Sequence, residues 1–578
     1  MKKLLVSIIA IVIILSVSVV GLTACKTDFS EGDNYVLFAD ATRGQTMKGF
    51  GASSAWWSQI VGQGANKEEV AELLYGNSGM ALNIYRYNIG GGSLDIVDKS
   101  VEGTYATWWD NKAALSNANY YWELDRLTES FLMGENYSGS SHADLLAFVS
   151  NKDNYDFSKD AGAQEMLKAC YALGNIDEVV LFVNSPHYLM TANHMCRSSD
   201  GADNVDNLLE ENYDVFAKYL MIITKHFVDE GYPVKYISPI NEPNWDWNDW
   251  KQEGCHYEPT SMAKCLNTIY TELKIFNEQN GTDIRVDGYE SGNWRWKGAS
   301  NNPSYNQQFI EAIQAQDVYS TMEFLSYHSY SNQYEKGERE DFMKKAEKYN
   351  IKIGISEYCQ MLAGVQLDNF YNAQLLALVI SYDLTYLKSN EWTWWIGVSN
   401  EQTYNYEDGL IYTNWWSDFD DEFYANYYAM QHTGEKDSVR LSPRYWTMKH
   451  YSNFVDAGDV HLELSFENEK SNLGAHELQQ DNKLFSAFKV VSPVEPEQVD
   501  KMPYSDHIYN AFMKPDGTVV IVYTNVVEDE MMWTIGDKFK TYEKYTSTKD
   551  GYFQKTEGKF DHTVTFAGNS ITTIVLHP

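Results

Sequence analysis

Glu242 and Glu357 close two runs of the same kind. Tyr236-Ile-Ser-Pro-Ile-Asn-Glu242-Pro243 and Ile351-Lys-Ile-Gly-Ile-Ser-Glu357 each begin with apolar or β-branched residues, as a buried parallel strand does. Each stops on a carboxylate that the interior of a packed strand does not tolerate unpaired. Two acids at two strand ends, 115 positions apart, fit a TIM barrel whose chemistry sits on its C-terminal face. A pair of carboxylates facing one sugar linkage is what glycoside hydrolysis requires.

The elements that must position this pair follow a βα rhythm. The spacing predicts barrel strands at 46–54, 80–89, 179–183, 236–240, 283–288, 322–327, 352–356 and 391–397. Helices are expected near 67–75, 158–173, 205–230, 260–278, from about 303, 341–349, 368–387 and 444–454. The helix over 205–230 is drawn from the recurrence of Leu208, Phe216, Leu220, Ile223 and Phe227. Eight strand–helix units make a barrel rather than an open doubly wound sheet.

After Asp456 the pattern changes to short alternating runs, with Lys514-Pro-Asp-Gly517 as a hairpin mark. The fold class expected is α/β, a (β/α)8 barrel with an associated antiparallel β-sandwich. The domain plan is residues 1–24 a signal, 25–34 a tether, 35–45 a strand lent to the β-domain, 46–455 the barrel and 456–578 the sandwich. No aromatic cluster marks the sandwich as a glycan-binding module, so it reads as a buttress.

Lys2 and Lys3 precede the apolar run 4–21, and Leu22-Thr-Ala-Cys25 follows. That is a secretory signal in form. It resembles the lipobox of bacterial lipoproteins, which implies Cys25 as the acylated N-terminus of a protein held on the outer face of a cell membrane. Removing Lys2 and Lys3 from 45 basic residues leaves 43 against 81 acidic ones, a net charge near −38. Such a surface repels nucleic acid and anionic membrane, so contact with a membrane is expected through the lipid alone. Cys170, Cys196, Cys255, Cys265 and Cys359 form no CxxC pair; Cys255 and Cys265 could close a loop, but the set reads as structural. Asp418–Glu422 is an acidic run that reads as a solvated face. No metal or cofactor is expected, and the protein is expected to be a monomer.

Aromatic residues make up 15% of the chain, and many fall in loops: Trp56-Trp57, Trp108-Trp109, Trp245, Trp247, Trp250, Trp294, Trp296 and Trp415-Trp416. Rings beside polar groups can stack on the C–H faces of pyranoses.

The ordered segments Gly49-Phe-Gly-Ala-Ser-Ser-Ala-Trp-Trp57, Arg86-Tyr-Asn-Ile-Gly90, Asn184-Ser-Pro186, Ser238-Pro-Ile-Asn-Glu-Pro243, His328-Ser-Tyr330, Ile355-Ser-Glu357 and Arg444-Tyr-Trp446 resemble glycoside hydrolase family 30. The double tryptophan looks most like its endo-β-1,6-galactanase branch. The resemblance implies retention of anomeric configuration, with Glu242 as acid/base and Glu357 as nucleophile. It implies that Arg86 and Tyr330 support the ionised Glu357 and that Asn241 meets the sugar 2-hydroxyl. His328 either holds Tyr330 or meets sugar hydroxyls. Trp394 is the expected platform under the −1 sugar, with Trp395 on the other side of the strand. Trp56, Trp57 and Asn184 line the same pocket, and Trp245 and Trp247 lie where the leaving group would sit.

One segment departs from the family's pattern. Asn184-Ser-Pro-His187-Tyr188-Leu189-Met190 has His187 in place of a proline and Leu189 in place of the usual tryptophan, which bears on the sugar rather than on the carboxylates. The reading is therefore a β-linked polysaccharide as substrate, most simply β-1,6-galactan of arabinogalactan type. Alternatives are β-1,6-glucan, xylan, or exo-action as in a β-glucosylceramidase. Acidic xylans would require cleft cations, for which the loops offer Arg295 and Lys297. A non-catalytic glycan-binding lipoprotein would be expected to lack one carboxylate, and both are present.

Overall fold

In the computed structural model, the residues described are 34–96, 126–199, 201–248, 252–293, 304–316, 322, 324–330, 336–360, 369–400, 408–413, 438–467, 508–526 and 528–578. Cys25, Trp108-Trp109, Trp250, Trp294, Arg295, Trp296, Lys297, Trp415-Trp416 and the run Asp418–Glu422 lie outside them.

Eight parallel strands form the barrel: β1 (Gly49–Ser53), β2 (Ile84–Ile89), β3 (Glu178–Val183), β4 (Val234–Ser238), β5 (Arg285–Val286), β6 (Phe324–His328), β7 (Lys352–Glu357) and β8 (Glu391–Asn400). The ladder runs β8–β1–β2–β3–β4–β5, while β7 pairs with both β6 and β8. The barrel closes between β5 and β6 through an isolated parallel bridge, Ser291 to Tyr327. Helices Lys67–Tyr75, Ala161–Tyr171, Tyr213–Asp229, Pro259–Asn280, Tyr305–Ala315, Lys336–Ala346, Phe370–Tyr386 and Pro443–Ser452 follow the strands in turn. The α/β barrel read from the sequence is the observed fold.

Residues 42–46, nearly all within the segment expected to lend a strand to the β-domain, pair antiparallel with Val460–Glu463 of the second sheet system. Two expected elements are redrawn. The helix expected over 205–230 starts at Tyr213, because Leu208 is held in an antiparallel bridge to Thr191 and the Asn207 carbonyl accepts from Ala192 N. β5 is only two residues long, and its line continues as single bridges at Glu290 and Ser291.

The second system is a sandwich. Its four-stranded sheet orders Phe466–Glu467, Tyr35–Val36, Met531–Ile535 and Thr563–Phe566, and its seven-stranded sheet runs from Gly551–Lys559 to Thr42–Thr46. The strand Val519–Asn525 is buried on both faces, which is why it reads as an unbroken apolar run. Val519, Ile521 and Tyr523 point into the sandwich core with Trp533 and Phe566. Val520 and Val522 join the barrel's own core, together with Phe512 and Ile571. His450 seals the seam from the last barrel helix, its two ring nitrogens 2.8 Å from Thr573 Oγ1 and Ser547 Oγ. Burial pushes its pKa down to about 3, so it serves as a neutral hydrogen-bonding wedge.

Barrel and sandwich thus share one apolar layer. Phe512→Ala should cost about 3–5 kcal/mol and lower the urea midpoint of barrel and sandwich together, as a single transition followed by circular dichroism and tryptophan fluorescence.

Candidate active site

The C-terminal ends of the strands bring five ionisable groups into one buried cluster. Arg86 from β2 donates from Nη1 to Glu357 Oε2 at 3.1 Å, and from Nη2 to Asn241 Oδ1 at 3.2 Å and Glu290 Oε2 at 2.7 Å. Its guanidinium lies 3.5 Å from the centre of the Phe182 ring. His328, ending β6, places Nδ1 3.0 Å from Glu242 Oε1 and 3.4 Å from Glu357 Oε1, and Nε2 3.1 Å from Glu290 Oε2. Tyr330 donates to Glu357 Oε1 at 2.9 Å. Ser238 donates to Glu290 Oε1 at 2.5 Å.

These contacts set the charges. An imidazole with both nitrogens against carboxylates donates twice only as the cation. Burial opposes that charge, but Glu357 and the bonds to Glu242 and Glu290 outweigh it and raise the pKa of His328 to about 10. Burial likewise opposes ionisation of Glu290, yet Arg86 and His328 bring its pKa down to about 2. For Glu357 the balance falls the other way. Burial, reinforced by Glu242 and Glu290, lifts it to about 7 against the pull of His328 and Arg86. Arg86 and His328 therefore supply two positive charges against Glu290 and Glu357.

Glu242 is held by its backbone as much as by its side chain. Its φ of 42° is left-handed, a conformation a non-glycine residue keeps only when its surroundings impose it. The constraint is visible: its N–H donates to Glu290 O at 2.6 Å, and its carbonyl accepts from Trp245 N at 3.1 Å and Trp247 Nε1 at 3.0 Å. Glu242, His328 and Glu357 bring one potential ligand atom each within 4.8 Å of one another. That trio could hold a metal ion, but each of those atoms is already engaged in the hydrogen bonds above. The same limit puts one oxygen of the Glu242 carboxylate within 4.8 Å of one of Glu357.

Most of the expected pocket residues meet here, but two tryptophans do not. Trp394 is fully buried on the outer face of β8, where its Nε1 donates to Asp408 O and the Arg444 guanidinium lies over its ring. Side chains alternate along a strand, and the inward set is Glu391, Thr393 and Trp395. Glu391 pairs with Lys48 inside the barrel, and Thr393 Oγ1 faces Gly51 of β1. Trp395 is accordingly the ring on the pocket side, 5.5 Å from the Arg86 guanidinium and edge-on to Trp56 at 5.0 Å. Trp57 is also core: its indole donates to Ser53 O, and it packs beside Leu74 against Gly397. Trp56 keeps its place beside the pocket, at the centre of a γ-turn with φ 68° and ψ −64° closed by Trp57 N to Ala55 O at 2.8 Å. The Arg126 guanidinium covers its ring at 4.6 Å.

Asn184, just past β3, is buried, and its Nδ2 donates to Asn88 Oδ1 at 3.4 Å. His187 is a core residue, its Nδ1 accepting from Leu189 N at 3.2 Å and its ring 4.2 Å from that of Tyr188. Burial lowers its pKa to about 3. Trp245 stands 53% exposed beside Glu242. Cys255 and Cys265 form no bridge; all five described cysteines are buried free thiols.

Glu290 was not singled out from the sequence. The signal that exposed Glu242 and Glu357 was present, since Gly288-Tyr-Glu-Ser291 follows the fifth strand, but the acid lies beyond a strand too short to announce its end.

Residues 142–412 match the family model described as O-Glycosyl hydrolase family 30. Endo-beta-1,6-galactanase of Hypocrea rufa is 25% identical over 271 residues, 43% of this chain and 50% of its own. Exo-beta-1,6-galactobiohydrolase of Bifidobacterium longum subsp. longum is 24% identical over 455 residues, 68% of this chain and 29% of its own. The chain thus spans half or less of the length of these two relatives. A conserved exported protein of Bacteroides fragilis has the same fold, with a TM-score of 0.68 at 22% identity over 94% of this chain and 100% of that one. Among the described residues no helix is long and apolar enough to cross a membrane.

The acid side of the pH profile tests the cluster's electrostatics. Glu357 is ionised above a pKa of about 7, so kcat/KM should fall as pH drops through that value. His328→Asn removes the leading positive influence on Glu357 and should move this limb to higher pH; a limb that stays put or moves down contradicts the assignment. With its geometry and its charges in view, the barrel of this chain is similar over residues 142–412 to O-Glycosyl hydrolase family 30.

Proposed function

We propose that the protein is a retaining β-glycosidase acting on a β-linked polysaccharide, with β-1,6-galactan as the substrate. The observation that carries the mechanism is the spacing of the pair. Carboxylate oxygens of Glu242 and Glu357 lie within 4.8 Å. Retaining enzymes place their two carboxyl groups roughly 5–5.5 Å apart, whereas inverting ones leave about 6.5–9.5 Å for a water between them.

Roles follow from the partners. Glu357, ionised and oriented by Arg86 and Tyr330, attacks the anomeric carbon. Glu242 gives its proton to the departing oxygen and then takes one from the water that releases the sugar. Asn241, fixed by Arg86, offers its amide to the sugar. Trp395 walls the pocket beside Trp56, and Asn184 borders it from β3. Glu290 touches no sugar in this scheme; it balances Arg86 and His328, which in turn hold the two reacting carboxylates.

The sugar is chosen on other grounds. Both named relatives act, by their descriptions, on β-1,6-linked galactan or galactobiose units. The sequence resemblance at Trp56-Trp57 favours the same branch, and β-1,6-glucan, xylan and exo-acting specificities are the alternatives. Residues 1–24 fit a lipoprotein signal, with Cys25 as the acylated residue of a surface-held enzyme.

Glu357→Gln should abolish turnover while oligosaccharide binding by calorimetry persists. Glu242→Ala should cost roughly 10²–10⁴-fold on sugar leaving groups, with azide restoring cleavage of a 2,4-dinitrophenyl glycoside as the β-azide. An α-azide product would mean inversion. Incubation with de-arabinosylated galactan, β-1,6-glucan and xylan should release β-1,6-galacto-oligosaccharides from the first; products from xylan alone would replace the galactan reading.

A further inference from the structure

Gly292 lies directly beneath the acid/base. A Cβ on this residue would stand 2.7 Å from Glu242 Oε1, 3.3 Å from its carboxyl carbon and 2.8 Å from Trp245 Nε1. Carbon cannot approach so closely, so the bare Cα is what allows Glu242 and Trp245 to converge on one point.

Neither side can easily yield. The preceding residue, Ser291, is tied to Tyr327 across the β5–β6 closure. Asn244 Oδ1 accepts from Gly292 N at 3.3 Å and lies 3.4 Å from Ser291 Oγ. The Glu242 backbone is clamped by Glu290, Trp245 and Trp247. A methyl at 292 would therefore be accommodated by the movable groups, the Glu242 carboxyl and the Trp245 indole. Moving the carboxyl breaks its 3.0 Å contact with His328 Nδ1.

Trp245 supplies the second observation. It is a large aromatic left 53% exposed, although its indole nitrogen approaches a buried carboxylate across Gly292. Its indole nitrogen and Glu242 Oε1 flank the same point above Gly292, and much of the ring faces solvent. An aromatic face held beside the acid that protonates the leaving group suits the C–H face of a pyranose.

The geometry points to Gly292 as a positioning residue for Glu242 and, with Trp245, to a leaving-group subsite that takes a sugar ring. This rests on the acid/base role proposed above for Glu242. Gly292 sets the line between the acid proton and the glycosidic oxygen. Trp245 holds the sugar that leaves with that oxygen and that returns as acceptor when the covalent intermediate is intercepted. The bonds of Arg86 and Tyr330 to Glu357 involve neither residue.

The test compares full-length wild type, Gly292→Ala and Trp245→Ala on two substrates sharing one glycone. These are β-1,6-galactotriose, whose leaving group needs a proton, and 2,4-dinitrophenyl β-galactoside, whose leaving group does not. Should the product screen name another sugar, both probes change to that glycone and the comparison is unaltered. Gly292→Ala should lower kcat/KM on the trisaccharide on the order of 10²-fold and leave the dinitrophenyl glycoside within about threefold. Azide should accelerate only the variant's aryl glycoside turnover. Trp245→Ala, a change at an exposed ring, should raise KM for the trisaccharide, spare the aryl substrate and abolish transfer to added galactose. Equal losses on both substrates in Gly292→Ala would make it merely structural and overturn its assignment. Unchanged trisaccharide kinetics and transfer in Trp245→Ala would overturn the subsite even if Gly292→Ala did not fold. Activity retained by Glu357→Gln would count against the retaining mechanism instead.

Discussion

The arrangement depends on one buried cation. Arg86 is shut away from water, and a guanidinium there is tolerable only if its hydrogen-bonding edge is matched by acceptors. The matches come from three other strands: Glu357 from β7, Asn241 past β4 and Glu290 past β5. Each acceptor is thereby drawn to the barrel axis at the level of the strand ends. Removing any one would leave a desolvated charge behind, so the fork fixes register across the barrel as well as supplying a charge to Glu357. His328 repeats the device from β6, with its two nitrogens answering carboxylates on opposite sides. Two cations shared among three acids explain how neighbouring buried carboxylates can coexist and still differ in protonation.

Legibility in the sequence followed the physics of each segment. β4 and β7 announce themselves because an apolar run ends abruptly on an acid, and the helix over 67–75 because its apolar period is clean. β8 does not declare its phase. In Glu391-Trp-Thr-Trp-Trp-Ile-Gly397 both faces carry large rings, since one lines the pocket and the other packs under the helices. Period-two alternation says that Trp394 and Trp395 differ, not which one faces inward. The phase is set by partners remote in sequence: Lys48 for Glu391 on the inside, Asp383 for Trp392 on the outside. Trp57 is hidden for a similar reason, because the γ-turn at Trp56 turns two adjacent tryptophans to different environments.

Glu290 illustrates a different limit. Its strand contributes two ladder pairs, and the chain then follows the barrel wall through single bridges at Glu290 and Ser291. Hydrophobic periodicity needs several residues to register, so a wall built from isolated bridges leaves little pattern. The acid is identified by what surrounds it, since Arg86, His328 and Ser238 all converge on its two oxygens. None of these three is its sequence neighbour.

The sandwich bears on the same cluster through one helix. Phe370–Tyr386, behind β7, is bound to the sandwich by Gln374 Nε2 donating to Asn525 O and Ser381 Oγ donating to Tyr509 O. Asp383 of this helix is fully buried. It accepts from Ser329 Oγ at 2.8 Å, Trp392 Nε1 at 2.9 Å and Arg339 Nε at 2.9 Å. Ser329 separates His328 from Tyr330, the two residues that touch Glu357 Oε1. A continuous path of packed and hydrogen-bonded groups therefore leads from the strand Val519–Asn525, through the helix and Asp383, to the partners of Glu357. Because that strand is apolar on both faces, neither the sandwich nor the helix it supports can be removed without exposing the other's core. The sandwich meets the barrel at a definable point: it is bonded to the helix whose Asp383 accepts from Ser329, between His328 and Tyr330.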